Sequence, residues 1–374
     1  MAWSFKIGRI FGIDLRIHIT FFLIVIWAAY MWGVAYGRGS EGAIYGTVLI
    51  LLLFFCVVIH ELSHSRMAQH FGAEVASITL LPIGGLAMLR KMPEDPRKEP
   101  LVSVVGPLSN VVIAAMLAVV YAVIPGKVAL ETPEQALEVI TSVSLQGLVA
   151  YLLFVNVMLA VFNLLPAFPL DGGRVLRSIL AQRMPYRKAT RAAVAAGQAF
   201  AFFLGITGLL TGNWIWVLIA VFIYMGAEQE GAGAEMKSVF SRLKVADAAS
   251  QDVKVLSPAD RLDDVVAIVL HGYQEDFPVL EGEMVTGILT RANLIDGLHR
   301  CGPEARVGEV MLRDFPAVTP GALFSEVYDM MNETRVKAVP VIEDGRLLGM
   351  VTLEHLSEVF MLLSATDEPL LKRK

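Results

Sequence analysis

The chain of 374 residues is 55% hydrophobic and only 18% charged, with a mean hydropathy of +0.60, which excludes an ordinary soluble globular protein. A formal charge of −5 offers no basic surface to nucleic acid, and two cysteines, Cys56 and Cys301, provide neither a disulfide framework nor a cysteine zinc site. Apolar runs near the length of a bilayer crossing fall at about 17–36, 43–64, 101–124, 145–166, 193–211 and 214–227, which predicts six transmembrane helices. The first run is long and five more follow, so it does not resemble a cleaved signal segment. With the N-terminus inside, the inner loops hold Lys6, Arg9, Arg16, Arg66, Arg90, Lys91, Arg97, Lys98, Arg174, Arg177, Arg183, Arg187, Lys188 and Arg191. The outer loops hold only Arg38 and Lys127, the latter beside Glu131, Glu134 and Glu138. This asymmetry predicts both termini in the cytoplasm.

Within the second run stands His60-Glu61-Leu62-Ser63-His64. On a helix the two histidines project from one face, with Glu61 beside them, an arrangement of two zinc ligands and a general base. Ionisable side chains at membrane depth cost about 2.5–3.5 kcal/mol each on insertion scales and mark polar interior sites. A tetrahedral zinc ion needs a third protein ligand. The run Asn163-Leu164-Leu165-Pro166-Ala167-Phe168-Pro169-Leu170-Asp171-Gly172-Gly173 delivers Asp171 to the same end of the bundle as His64. Local chemistry leaves Asp171 equally a ligand and a turn or N-cap residue.

At about residue 228 the composition changes, with Gly226, Gly231 and Gly233 among small and acidic neighbours, which predicts a linker. Beyond it lies an internal repeat with an offset of 62: Pro258 aligns with Pro320, Pro278-Val279 with Pro340-Val341, Gly287 with Gly349, Thr290 with Thr352 and Leu294 with Leu356. Each copy has the pattern helix, strand, glycine turn, strand, helix.

His60-Glu61-x-x-His64 in one span and Asn163-x-x-Pro166-x-x-x-Leu170-Asp171-Gly172 at the end of a later one resemble the site-2 protease family of intramembrane zinc metalloproteases. Gly106-Pro107-Leu108-Ser109-Asn110 and Pro82-Ile83-Gly84-Gly85-Leu86-Ala87 are similar to two further segments of that family. The resemblance implies one Zn2+ per chain held by His60, His64 and Asp171, with Glu61 activating water and Asn163 holding the substrate backbone or the developing oxyanion. An interhelical hydrogen bond is the plainer role for Asn163. It also implies that a single-span membrane protein is cut within or near its membrane segment. The Ile83-Gly84-Gly85 stretch is either a re-entrant turn or the edge to which an unwound substrate adds as a strand.

The repeat resembles a tandem CBS pair, which implies either a regulatory module or a pair that docks substrate tails or fixes assembly, here as a homodimer. Where nucleotide-binding copies carry Thr-x-x-Asp, this chain has Thr290-Arg291-Ala292-Asn293 and Thr352-Leu353-Glu354-His355, so an adenine nucleotide is expected only if Asn293 substitutes in the ribose contact. A CBS-regulated transporter would explain the buried charges but not a glutamate and three residues suited to one zinc ion. A silent scaffold would be expected to have lost one of them. The expected architecture is a multi-pass α-helical membrane protein of six transmembrane helices followed by a cytosolic α/β tandem CBS pair, in the cell membrane of a prokaryote. Its parts are a metalloprotease domain over 1–228, a linker over 229–244, one CBS repeat over 245–304, and a second with a C-terminal tail over 305–374.

Overall fold

The computed structural model describes residues 3–82, 84–91, 98–125, 132–241, 243–272, 274–334 and 336–364. Ile83, Arg97, Lys127 and Glu131, used above, lie outside them. The chain divides into two compact units, Met1–Ala232 and Gly233–Lys374.

The first unit begins with a hairpin, β1 (Ser4–Ile10) and β2 (Ile13–His18), followed by α1 (Phe21–Tyr30), a π-helical continuation over Met31–Ala35, and α2 (Gly39–His70). Then come β3 (Glu74–Leu81), β4 (Gly84–Lys91), α3 (Glu99–Val123), the short α4 (Pro133–Thr141), α5 (Leu145–Asn163), α6 (Asp171–Ala181), α7 (Tyr186–Thr211) and α8 (Trp214–Phe240). Among the described residues five helices, α2, α3, α5, α7 and α8, are long and apolar enough to cross a membrane, and Phe21–Ala35 is a shorter apolar helix. The first predicted span, 17–36, becomes helical only at Phe21 because Ile17 and His18 belong to β2; β2 runs parallel to β3, which is antiparallel to β4, in the order β1-β2-β3-β4.

At 1.5 Å per residue, the 32 residues of α2 extend roughly 48 Å, well beyond a hydrocarbon core of about 30 Å. The histidine pair lies in its C-terminal half. Gly42 and Gly46 lie so close to the backbone carbonyls of Trp32 and Ala28 that a Cβ would not fit, and this close approach seats the preceding apolar helix on α2. On α7 and α8, Phe202, Phe203, Leu210, Trp214 and Leu218 are exposed apolar side chains, as expected of surfaces solvated by lipid.

The expected linker is largely helical. Gly226, Gly231 and Gly233 all lie inside α8, which continues to Phe240. Phe240 is fully buried in a core with Phe324, Val327 and Val339.

The second unit repeats one motif. The first copy holds α9 (Val245–Ala248), α10 (Leu262–His271), β5 (Phe277–Glu281), β6 (Met284–Leu289) and α11 (Arg291–Cys301). The second holds α12 (Val307–Val310), α13 (Phe324–Thr334), β7 (Ala338–Glu343), β8 (Arg346–Thr352) and α14 (Leu353–Ser364). One sheet runs through both in the order β5-β6-β8-β7. The repeat extends to register, since Val279 pairs with Gly287 and Val341 with Gly349, each pairing followed by a bulge. Each copy has its own apolar core: Leu262, Val265, Phe277 and Leu289 in the first, and Phe324, Val327, Val339 and Val351 at equivalent places in the second.

Candidate metal centre

Four residues apart on α2, His60 and His64 lie one turn from each other, with ring centroids 4.7 Å apart. Asp171 is the first residue of α6. Its helix starts close to the end of α5 because Gly172 and Gly173 bear no side chain: a Cβ on Gly172 would collide with the carbonyls of Leu164 and Leu165, and one on Gly173 with Ala167 and Phe168. The Asp-Gly-Gly run is therefore required by packing, and packing brings the carboxylate to the histidines. His60 Nε2 and His64 Nε2 are 3.1 Å apart, and Asp171 Oδ2 lies 3.2 Å from His64 Nε2 and 3.4 Å from His60 Nε2.

The protons on these rings are directed by their neighbours. His64 Nδ1 donates to the carbonyl of Val102 at 2.7 Å, which can only accept. For His60 the polarity is set at a distance. Asn156 Nδ2 donates to the carbonyl of Leu152 at 2.8 Å, so Asn156 Oδ1 is free to accept from Asn110 Nδ2, also at 2.8 Å. That leaves Asn110 Oδ1 to accept from His60 Nδ1. Asn110 and Asn156 are fully buried. In the neutral form, imidazoles held in this way turn two Nε2 lone pairs toward each other and toward a carboxylate oxygen, an arrangement that a cation satisfies. Tetrahedral ligands at bond lengths of 2.0–2.1 Å stand roughly 3.3 Å apart, and the observed separations of 3.1, 3.2 and 3.4 Å bracket that value. Nitrogen, nitrogen and carboxylate oxygen are also a donor set that zinc accepts. Among the described residues, these three are the one group of His, Cys, Asp and Glu close enough to hold a metal.

Glu61 follows His60 on α2, is half-buried, and has its side chain against Gly85 of β4, where a Cβ would press on Glu61 Cγ. Gly106 of α3 is likewise required: a Cβ there would overlap the His64 ring. Asn163 is the last residue of α5 and half-buried. It lies seven residues from Asn156 and hence on the same helix face. Among the described residues no side-chain hydrogen bond to it is found, so the plainer interhelical bond is not observed.

Sequence reasoning did not assign roles to Asn110 or Asn156. The signal was an amide side chain in each of two otherwise apolar spans, where an unpaired polar group is costly and a paired one marks an interhelical contact. It also placed Arg174 and Arg177 among exposed loop charges, whereas Arg177 is 4% exposed and paired with Glu99.

Both parts of the chain match known protein families. The model of peptidase family M50 matches residues 48–204, and that of the CBS domain matches 245–300 and 307–362. A zinc metalloprotease of Methanocaldococcus jannaschii is 30% identical over 98% of this chain and 99% of its own. A putative zinc metalloprotease of Synechocystis is 34% identical over 93% of each. The solved structure of a site-2 protease from Methanocaldococcus jannaschii, 35% identical, covers 61% of this chain and 95% of that one with a TM-score of 0.45. With full-length similarity at this level, the chain belongs to peptidase family M50, the site-2 zinc metalloproteases that act in membranes, and carries a CBS pair.

Proposed function

We propose that His60, His64 and Asp171 hold one zinc ion per chain and that Glu61 is the general base for hydrolysis of a peptide bond within or near the membrane segment of a single-span protein. The observation that carries this reading is the convergence of three lone-pair atoms within 3.1–3.4 Å while both imidazole Nδ1 protons are committed elsewhere. The chemistry zinc supplies when bound is Lewis acidity toward water and toward the scissile carbonyl. Glu61 takes a proton from the attacking water as the new C–O bond forms, and returns it to the amide nitrogen as the C–N bond breaks. Asn163 is proposed to hold the substrate backbone or the developing oxyanion, a reading supported by its unengaged amide and its place on the Asn156 face of α5.

A membrane helix must exchange its own hydrogen bonds for others before it can be cut. β4 supports strand addition as the route: it pairs with β3 on one side only, and Gly85 lies against Glu61. Because a side chain at Gly85 would displace the glutamate, substitution there cannot isolate strand addition. A cysteine at Leu86 can. It should cross-link to substrate cysteines at alternate positions, and an absence of cross-links removes this route. For the chemistry, Glu61→Gln should keep zinc and lose cleavage, while Asp171→Ala should lose zinc. Cleavage by the first variant or unweakened zinc binding by the second overturns the assignment. Comparing membrane proteins that accumulate with wild type and with Glu61→Gln would identify the substrate.

Both termini are proposed to face the cytoplasm of a prokaryotic cell, on the loop charges. Cys301 is exposed and Cys56 buried, so an impermeant thiol reagent should label Cys301 in inverted vesicles and not in right-side-out ones. The pair of CBS repeats is proposed as a regulatory module and homodimer surface on family resemblance. Adenine nucleotide binding has less support, because Asn293 is engaged in capping α11, with Thr290 Oγ1 accepting from Asn293 N at 3.2 Å and bonded to its side chain.

A further inference from the structure

Behind Asp171, α6 carries a cluster of charges that the chemistry above does not use. Arg174 Nη2 donates to Glu230 Oε1 of α8 at 2.8 Å. Arg177 pairs with Glu99 of α3 and also approaches Glu230 Oε2 at 3.8 Å. Ser178 Oγ donates to Glu99 Oε2 at 2.8 Å. The Arg177 guanidinium lies over the Phe168 ring at 4.9 Å and the Tyr186 ring at 5.1 Å. One face of α8 touches the same segment at two further points. Gly226 is so close to Pro169 that a Cβ would press on its ring, and Ala227 is fully buried with Phe168. Gly226, Ala227 and Glu230 are spaced as one stripe of a helix. The stripe packs on residues 168–174, which include the metal ligand.

Buried ion pairs are poor devices for stability, because desolvation offsets most of their attraction, but they are directional and hold their partners in one geometry. Removing a group that orients a metal ligand typically costs 10–100-fold in metal affinity. We propose that Glu230 is a positioning residue for Asp171: through Arg174 and Arg177 it holds the first turns of α6 in place, so that the position of α8 sets the zinc affinity of the site. This rests on the reading of Asp171 as a zinc ligand.

The test is a zinc competition titration against a chromophoric chelator on the full-length protein in lipid nanodiscs. Wild type is compared with Glu230→Gln, Glu230→Asp, Arg174→Gln and the double variant Glu230→Gln/Arg174→Gln. Melting curves are recorded on the zinc-free forms. Glu230→Gln is expected to weaken zinc about tenfold with an unchanged melting curve, and Glu230→Asp, which keeps the charge, to recover most of the loss. The double variant should bind zinc no more weakly than the worse single one, since both cut the same link. Zinc affinity like that of wild type in Glu230→Gln, or additive losses in the double variant, overturns the proposal. So does a lowered melting curve without a change in affinity, which would make the cluster purely structural. Should Glu230→Gln fail to fold, Glu230→Asp and Arg174→Gln decide by the same readings. Asp171→Ala, run alongside, separates the two levels: if it loses zinc while the Glu230 variants do not, positioning fails and the ligand assignment stands, and if it keeps zinc, the assignment itself fails.

Discussion

The two units use their interiors differently. Of the eleven buried polar or charged side chains among the described residues, ten lie in Met1–Ala232, and the one in Gly233–Lys374 is Asp276. The second unit is held by two apolar cores of equivalent composition, as suits a fold driven by removing apolar surface from water. The first is surrounded by lipid that is as apolar as its own side chains, so close glycine contacts and hydrogen bonds between helices specify the arrangement. Gly42, Gly46 and Gly106 supply the contacts, and Asn110 with Asn156 supplies the bond. Polarity that holds helices together also orients side chains of the site: Asn110 donates to Asn156 and accepts from Nδ1 of His60, a proposed zinc ligand.

Four measurements would break or sharpen this contrast. Removing a ligand by His64→Ala should abolish zinc binding and reduce cleavage at least about 10³-fold, with melting of the second unit unchanged. Phe277→Ala in the core of the first CBS copy should cost the second unit about 3–5 kcal/mol by calorimetry and leave zinc affinity within about twofold, since that core is built of apolar side chains of the second unit. If zinc affinity fell as far as stability did, the division of labour would be wrong. Asn110→Leu should weaken zinc by roughly 10–100-fold, because His60 loses the acceptor that fixes its tautomer, and leaves Asn156 without its donor. A loss of stability without a change in affinity would reduce Asn110 to interhelical packing.

The smallest effect concerns pH. Burial pushes the His355 imidazole below its ordinary value against the opposing pull of Glu358, and its Nδ1 is buried without a partner. The folded second unit therefore protonates this ring less readily than the unfolded chain, which takes up a proton near pH 6.5. Stability is fully present above that pH and declines as pH falls below it. Melting of the second unit between pH 7.5 and 5.5 should show a small decline that His355→Phe removes; an identical decline in the variant would place the titration elsewhere.

Much of the molecule was legible before any fold was known. Hydropathy marks the spans because lipid admits only segments that satisfy their own backbone, and it overran at Ile17 and His18 because sheet pairing satisfies a strand equally well. The offset of 62 predicted a duplicated fold down to the pairings of Val279 and Val341. His60, Glu61 and His64 are legible together because a helix has a fixed period. Asp171 required a resemblance, since nothing local separates a ligand from an N-cap. The glycines around residue 228 suggested a linker, but α8 passes through them as helix; Gly226 meets Pro169 and Gly231 meets Val194 at close range, while Gly233 faces open space.

What the sequence by itself determined, then, is whatever depends on period and composition: the spans, the repeat, and the histidine pair with its glutamate. Only tertiary structure decided which carbonyl takes the proton of His64, that Asn156 orients Asn110 and through it His60, and that Glu230 meets Arg174. These are contacts between helices 38 to 56 residues apart in the chain, and no local rule of spacing carries information about which distant surface a side chain will face.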